Sequence, residues 1–144
     1  MMSETTVLLV DDEEDFVTVL AERLERRGLT VDIAQSGETA LKKAGVHAFD
    51  AIVLDMAMPG MDGVQTLREL LEINKDLQVV LLTGHSTLQQ ACEAMKLGAL
   101  DLLEKPTDIE VLVAKIDDAA RKKTKLDDGH IEQRISDIMR QKGW

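Results

Sequence analysis

The sequence predicts an α/β domain, a doubly wound five-stranded parallel sheet with helices on both faces. Three observations predict it. Short apolar runs alternate five times with segments of helical period. The runs are apolar almost throughout, as strands covered on both faces are. Helix start and stop signals fall between them. At 144 residues one domain is the default, and that length can bury a real core.

The first run, 6–10, leads into Asp11-Asp12, and the segment after it carries Phe16, Leu20 and Leu24 at four-residue steps before Gly28. The second, 30–34, closes on Ala34-Gln35 without charge. The third, 51–54, delivers Asp55; Asp62 then caps a helix, with Gln65 three residues on. The fourth, 78–82, delivers Thr83. Ser86 with Gln89 reads as a capping box, Leu88, Ala91, Cys92 and Met95 share one helical face, and Gly98 closes the helix. The fifth, 100–103, delivers Lys105 before Pro106. Thr107 with Glu110 reads as another capping box, for a helix with Ile109, Leu112, Val113 and Ile116 on one face. Asp127-Asp128-Gly129 is expected to break it. The domain then covers 1–126, and 127–144 is a short amphipathic tail, apolar at Ile131, Ile135, Ile138 and Met139.

The net charge of −10 argues against non-specific nucleic-acid or anionic-membrane binding, since phosphates would repel the chain. Residues 121–144 carry +3 and the remainder −13. For that tail, intramolecular packing or pairing with a second copy is favoured over DNA contact, because no recognition-helix module fits in it. Cys92 is the only cysteine, so no internal disulfide forms. No signal-peptide pattern and no membrane-length apolar stretch is present, and a cytoplasmic protein is expected.

Ligands of open parallel sheets bind beyond the carboxyl ends of the strands, near the point where strand order reverses. Asp11, Asp12, Asp55, Thr83 and Lys105 would converge there. Each alone has a plain structural role open to it: helix cap, turn residue or solvated charge. Five at one edge are harder to explain so. Three clustered carboxylates repel one another unless a proton or a cation intervenes. Oxygen ligands without Cys or His favour a hard cation, and Mg²⁺ takes one or two carboxylates, waters and phosphate oxygens. The remaining carboxylate, at the bottom of the cleft, can act as a phosphoryl-accepting nucleophile. Thr83 and Lys105 can then stabilise the equatorial oxygens.

Val10-Asp11-Asp12-Glu13, the stretch from Leu54-Asp55 through Met58-Pro59-Gly60-Met61-Asp62-Gly63, then Leu82-Thr83-Gly84 and Glu104-Lys105-Pro106 resemble the response-regulator receiver domain of two-component signalling. The resemblance covers roughly residues 5–125. Thr83-Gly84-His85, Ala94-Met95-Lys96-Leu97-Gly98-Ala99 and Glu104-Lys105-Pro106 are most similar to receivers of NtrC-like activators. It implies a flavodoxin-like strand order 2-1-3-4-5 and Asp55 as phosphoacceptor. Mg²⁺ would be held by Asp12 directly, Asp11 through water, Asp55, and the Ala57 carbonyl. Lys105 would pair with the phosphoryl group, Thr83 would hydrogen-bond it in the active state, and small Gly84 would leave it accessible. The implied donor is a sensor histidine kinase or phosphotransfer protein, and the listener a downstream effector protein. Such a switch is not an enzyme, catalysing only its own phosphorylation and dephosphorylation.

Two departures stand out. Leu102 occupies a place where the family usually has Tyr or Phe, and Thr107 follows Lys105-Pro106 where Phe is common. Both bear on the output surface, not on the chemistry. Rival readings fit less well. A flavodoxin-like redox protein would need a phosphate-cradling loop after the first strand. An aspartyl-phosphate phosphatase would place an acid/base Asp at Ala57. A pseudo-receiver that no longer accepts phosphate would not keep the full acid, Thr and Lys set. His85 is expected at the rim of the site, and His47 and His130 on the surface. Met56, Met58 and Met61 read as loop packing, and Arg121-Lys122-Lys123 as a helix end complementing its dipole.

Overall fold

The computed structural model describes residues 4–58, 62–84 and 88–141. Five strands alternate with five helices: β1 (Thr6–Val10), α1 (Glu14–Glu25), β2 (Thr30–Ala34), α2 (Gly37–Val46), β3 (Ala51–Asp55), α3 (Gly63–Ile73), β4 (Val79–Thr83), α4 (Leu88–Leu97), β5 (Asp101–Glu104) and α5 (Ile109–Gln141). The strands form one parallel sheet in the order β2-β1-β3-β4-β5. The expected fold and strand order are both present.

Side chains alternate across each strand and so feed two cores. Leu8, Val10, Ile52, Leu54, Val79 and Leu81 pack with Leu67 and Leu70 of α3 and Ala94 of α4. Val7, Leu9, Val53 and Leu82 pack on the other face with Val17, Ala21 and Leu24 of α1 and Leu112, Ile116 and Ala119 of α5. The three inner strands are buried almost completely, which is why their sequences lack a polar alternation. Gly28 and Gly98 end α1 and α4 with φ of 87° and 115°, a left-handed backbone that glycine adopts without strain. Asp62 caps α3 as expected, accepting the Gln65 N–H at 2.8 Å.

Three local expectations are corrected. Asp108, not Thr107, caps α5: its Oδ1 accepts the Glu110 N–H and its carbonyl the N–H groups of Val111 and Leu112. The Leu88, Ala91, Cys92 and Met95 stripe does not face the core. Leu88 is 81% exposed and Met95 44%, while Ala94 is the buried residue of α4. The sheet offers the middle of that helix room for a methyl group; Leu88 and Met95 lie outward, and Leu97 at its end is partly buried against the same core. Nor does Asp127-Asp128-Gly129 break the last helix, since α5 runs unbroken to Gln141. Glycine costs a helix only about 1 kcal/mol against alanine. Here the Lys123–Asp127 ion pair at 2.7 Å one turn apart and the His130–Asp76 contact at 2.6 Å support the segment. Burial nevertheless ends at Leu126, and every residue from 127 to 141 is exposed. Ser86 of the other expected capping box lies outside the described residues. No described helix is long and apolar enough to cross a membrane.

Gly63 opens α3 directly against the end of β3. A Cβ there would lie 2.3 Å from the Met56 Cα and 2.8 Å from the Asp55 carbonyl oxygen, and the Gly63 N–H donates to the Met56 carbonyl at 3.0 Å. Backbone atoms cannot rotate away, so Gly63→Ala is expected to destabilise the fold by about 2–3 kcal/mol. Gly129→Ala meets nothing within 4 Å and is expected to stabilise α5 by up to about 1 kcal/mol. Urea denaturation of both variants checks this; equal effects would contradict the assigned packing.

Candidate functional site

Register brings the site together. Val10 pairs with Leu54, so Asp11 and Asp55 leave neighbouring strands at one level. Asp55 pairs with Leu82, which puts Thr83 one step beyond it on β4, and Thr83 pairs with Glu104, immediately before Lys105. The Lys105 N–H donates to the Thr83 carbonyl at 2.7 Å, tying the exit of β5 to the end of β4. Parallel strands all present their carboxyl ends at the same edge, so these neighbours become a cluster.

One oxygen each from Asp11, Asp12 and Asp55 lie within 4.8 Å of one another. Asp11 and Asp55 are buried and Asp12 is exposed. Asp11 is already engaged at both oxygens: Oδ1 accepts the Glu13 N–H at 2.9 Å, and Oδ2 accepts from Lys105 Nζ at 2.7 Å. Asp55 Oδ1 accepts the Ala57 N–H at 3.1 Å, and Oδ2 is 3.8 Å from Lys105 Nζ. Glu13 Oε1 adds a weaker contact to the ammonium at 3.5 Å. Thr83 is fully buried at the end of β4. Gly84 lies beside the lysine stem, where a Cβ would meet Lys105 Cδ at 3.9 Å.

Charge accounts for the electrostatics. Burial pushes the Asp55 carboxyl up to about 6 from its ordinary 3.8. The Ala57 N–H and Lys105 pull against that rise, and the charges of Asp11 and Asp12 add to it. Burial works to lower the Lys105 ammonium, but the Asp11 hydrogen bond and the charges of Asp11, Asp55 and Glu13 outweigh it, holding the group above the usual lysine value. Among the described residues, one cation against three carboxylates leaves an excess of negative charge. Their span can be bridged by a hard divalent cation with oxygen ligands at about 2.0–2.6 Å, and the all-oxygen donor set suits one. The cluster could hold a metal.

All the predicted side chains, Asp11, Asp12, Asp55, Thr83 and Lys105, thus come to one edge, with Ala57 following Asp55 on the loop. Pro59-Gly60-Met61 and His85 lie outside the described residues. Two contributors were not foreseen. Glu13 reaches Lys105, and only its place after the Asp pair signals it. Phe16, expected only as part of the helical pattern with Leu20 and Leu24, sets its ring 4.3 Å from Lys105 Nζ; nothing in the sequence signals that contact.

Comparison with known proteins points to one family. The sequence model of the response regulator receiver domain matches residues 7–117. The transcriptional regulatory protein ZraR of Escherichia coli is 38% identical over 113 residues, 78% of this chain. The chain spans about a quarter of that relative's length, 26%. The crystal structure of FixJ-N is 38% identical with a TM-score of 0.77, covering 83% of this chain and 96% of that one. A response regulator protein from Burkholderia pseudomallei, solved with a phosphorylated aspartic acid, calcium ion and citrate, has a TM-score of 0.74 at 29% identity, covering 94% and 86%.

The raised carboxyl of Asp55 makes a pH prediction for the metal-free protein. Its folded value exceeds the unfolded one, so the stabilising protonation is complete below the ordinary 3.8 and is lost as pH rises through about 6. Relative to Asp55→Asn, the wild type is expected to lose on the order of 1–3 kcal/mol between about pH 4 and pH 7. Urea melts of both proteins in EDTA across that range check it; parallel profiles would mean that burial in the cluster does not raise the Asp55 carboxyl.

Proposed function

The chain belongs to the response-regulator receiver family of two-component systems, and from that premise we propose that it is a switch thrown by phosphorylation of Asp55. The observation that carries the reading is a buried carboxylate at the floor of an acidic cluster, with an ammonium 3.8 Å away. The proposed donor is a phosphohistidine on a sensor histidine kinase or phosphotransfer protein, met in the cytoplasm. An Asp55 oxygen attacks phosphorus, the phosphorus–nitrogen bond breaks, and its electron pair stays on the departing imidazole. Lys105 is within reach of both Asp11 and Asp55, so pairing with the new phosphoryl oxygens takes a side-chain adjustment only. Thr83 supplies its hydroxyl in the active state. The proposed cation is Mg²⁺, which when bound offsets the charge of the transferring group. Asp12, Asp55 and the Ala57 carbonyl would hold it. Asp11, with both oxygens engaged, suits contact through water.

The output is proposed to be a conformational change read by a downstream effector protein, with no catalysis beyond the domain's own phosphorylation and dephosphorylation. A second copy of the chain is a further candidate partner. Helix α4 supports such a change. Ala94 is its buried residue and Leu97 is partly buried beside the same core, so little packing resists a shift of that helix, and its exposed stripe would move with it. Leu102, half-buried against the same core, is no aromatic ring that could gate the surface.

Intact mass after acetyl phosphate and Mg²⁺ tests the switch. One phosphoryl adduct is expected, abolished by prior EDTA and by Asp55→Asn; an adduct surviving in Asp55→Asn would reject the site. By calorimetry, Asp12→Ala should lose most Mg²⁺ affinity and Asp11→Ala less, and unchanged affinity in both would reject the metal assignment. Lys105→Ala should fail in phosphorylation or in its structural consequence. Thr83→Ala should accept the phosphoryl group but show smaller beryllofluoride-induced amide shifts over residues 88–97. Wild-type shifts in Thr83→Ala would remove its coupling role.

A further inference from the structure

Lys105 is held by more than its carboxylates. Its Nζ stands 4.3 Å from the centroid of the Phe16 ring, within the range where a ring face attracts a cation. Phe16 sits in the first turn of α1, half-buried against the α1–α5 core. It borders a small void shared with Asp11, Asp55 and Leu82, of about 10 Å³. On its other side it lines an open apolar cleft of about 410 Å³ with Val19, Leu20, Pro106 and Ile109. The ring therefore separates that cleft from the acid cluster. A purely apolar residue would fill the same place, but only an aromatic ring also offers the ammonium a negative face. The contact matters because Lys105 has competing anchors: Asp11 at 2.7 Å, Glu13 at 3.5 Å and Asp55 at 3.8 Å. Its reach to Asp55 is the longest of the three. A lysine stem is flexible, and three anions on different sides do not by themselves choose among its rotamers.

We propose that Phe16 is a positioning residue for Lys105, its ring face holding the ammonium between Asp11 and Asp55 so that it can meet the phosphoryl group. This rests on the reading of Asp55 as phosphoacceptor, but the contact itself can be measured without phosphorylation. Phe16→Leu keeps an apolar side chain and removes the ring. Phe16→Tyr keeps the ring face.

In the metal-free protein, the Lys105 ε-methylene proton resonances are expected to be shifted upfield by the ring. The shift should be lost in Phe16→Leu and kept in Phe16→Tyr. The rate of phosphorylation by acetyl phosphate at saturating Mg²⁺ should fall about threefold to tenfold in Phe16→Leu, with Mg²⁺ affinity unchanged, and should recover in Phe16→Tyr. In a Lys105→Ala background, Phe16→Leu should change the residual rate no further. Should Phe16→Leu fold poorly, Phe16→Met serves in its place. An unshifted Lys105 methylene in wild type would overturn the proposal, whether or not Asp55 accepts a phosphoryl group. So would equal losses in Phe16→Leu and Phe16→Tyr, or the same fold loss with Lys105 already removed, since either marks Phe16 as packing alone. Absence of any adduct alongside a shifted, Phe16-dependent methylene would count against the phosphoacceptor reading and leave the positioning contact standing.

Discussion

The Lys105 ammonium, drawn among the carboxylates of Asp11, Asp55 and Glu13, sets the condition on which this edge of the sheet holds together. Three carboxylates from Asp11, Asp12 and Asp55 within 4.8 Å repel one another, and burial of two of them sharpens the repulsion. A single lysine relieves part of it and draws β5's exit toward β1 and β3. Burial, with the part left over added to it, keeps the Asp55 carboxyl near 6.

That balance depends on topology. β1 and β3 are adjacent although β2 lies between them in the chain, and β4 and β5 follow on the same side. Asp11, Asp55, Thr83 and Lys105 are thereby placed across four neighbouring strands, each at or just past a carboxyl end. The apolar runs beneath them fill two cores, and Gly63, with no room for a side chain, fixes α3 against the end of β3. The floor of the site is rigid for ordinary packing reasons.

The two later helices are built differently from that floor. α4 turns Leu88 and Met95 outward and anchors through Ala94, with Leu97 partly buried against the same core, while α5 is anchored at Leu112, Ile116 and Ala119 and then continues exposed to Gln141. Elements with few buried contacts are those that shift most readily. The acid cluster therefore sits on the closely packed part of the fold, and the exposed apolar surface on the parts with fewer buried side chains.

Much of this was legible in the residues. Five apolar runs, each ending in a polar or charged group, determined the strands, and their parallel arrangement determined that Asp11, Asp12, Asp55, Thr83 and Lys105 would share an edge. Buried strands have no polar face to confuse the pattern, and parallel strands leave their carboxyl ends no choice of side. The cap at Asp62 and the stops at Gly28 and Gly98 were equally plain, because their backbone requirements are local. Tertiary structure alone decided which face of α4 meets the sheet, because an apolar stripe shows what could be buried but not how much room the sheet provides. It also decided that α5 passes through Gly129, where a contact to Asp76, distant in sequence, supports what local propensity disfavours. The meeting of Lys105 with Phe16 belongs to the same class: the two are 89 positions apart, and only the packing of α1 beside the end of β5 brings a ring to an ammonium.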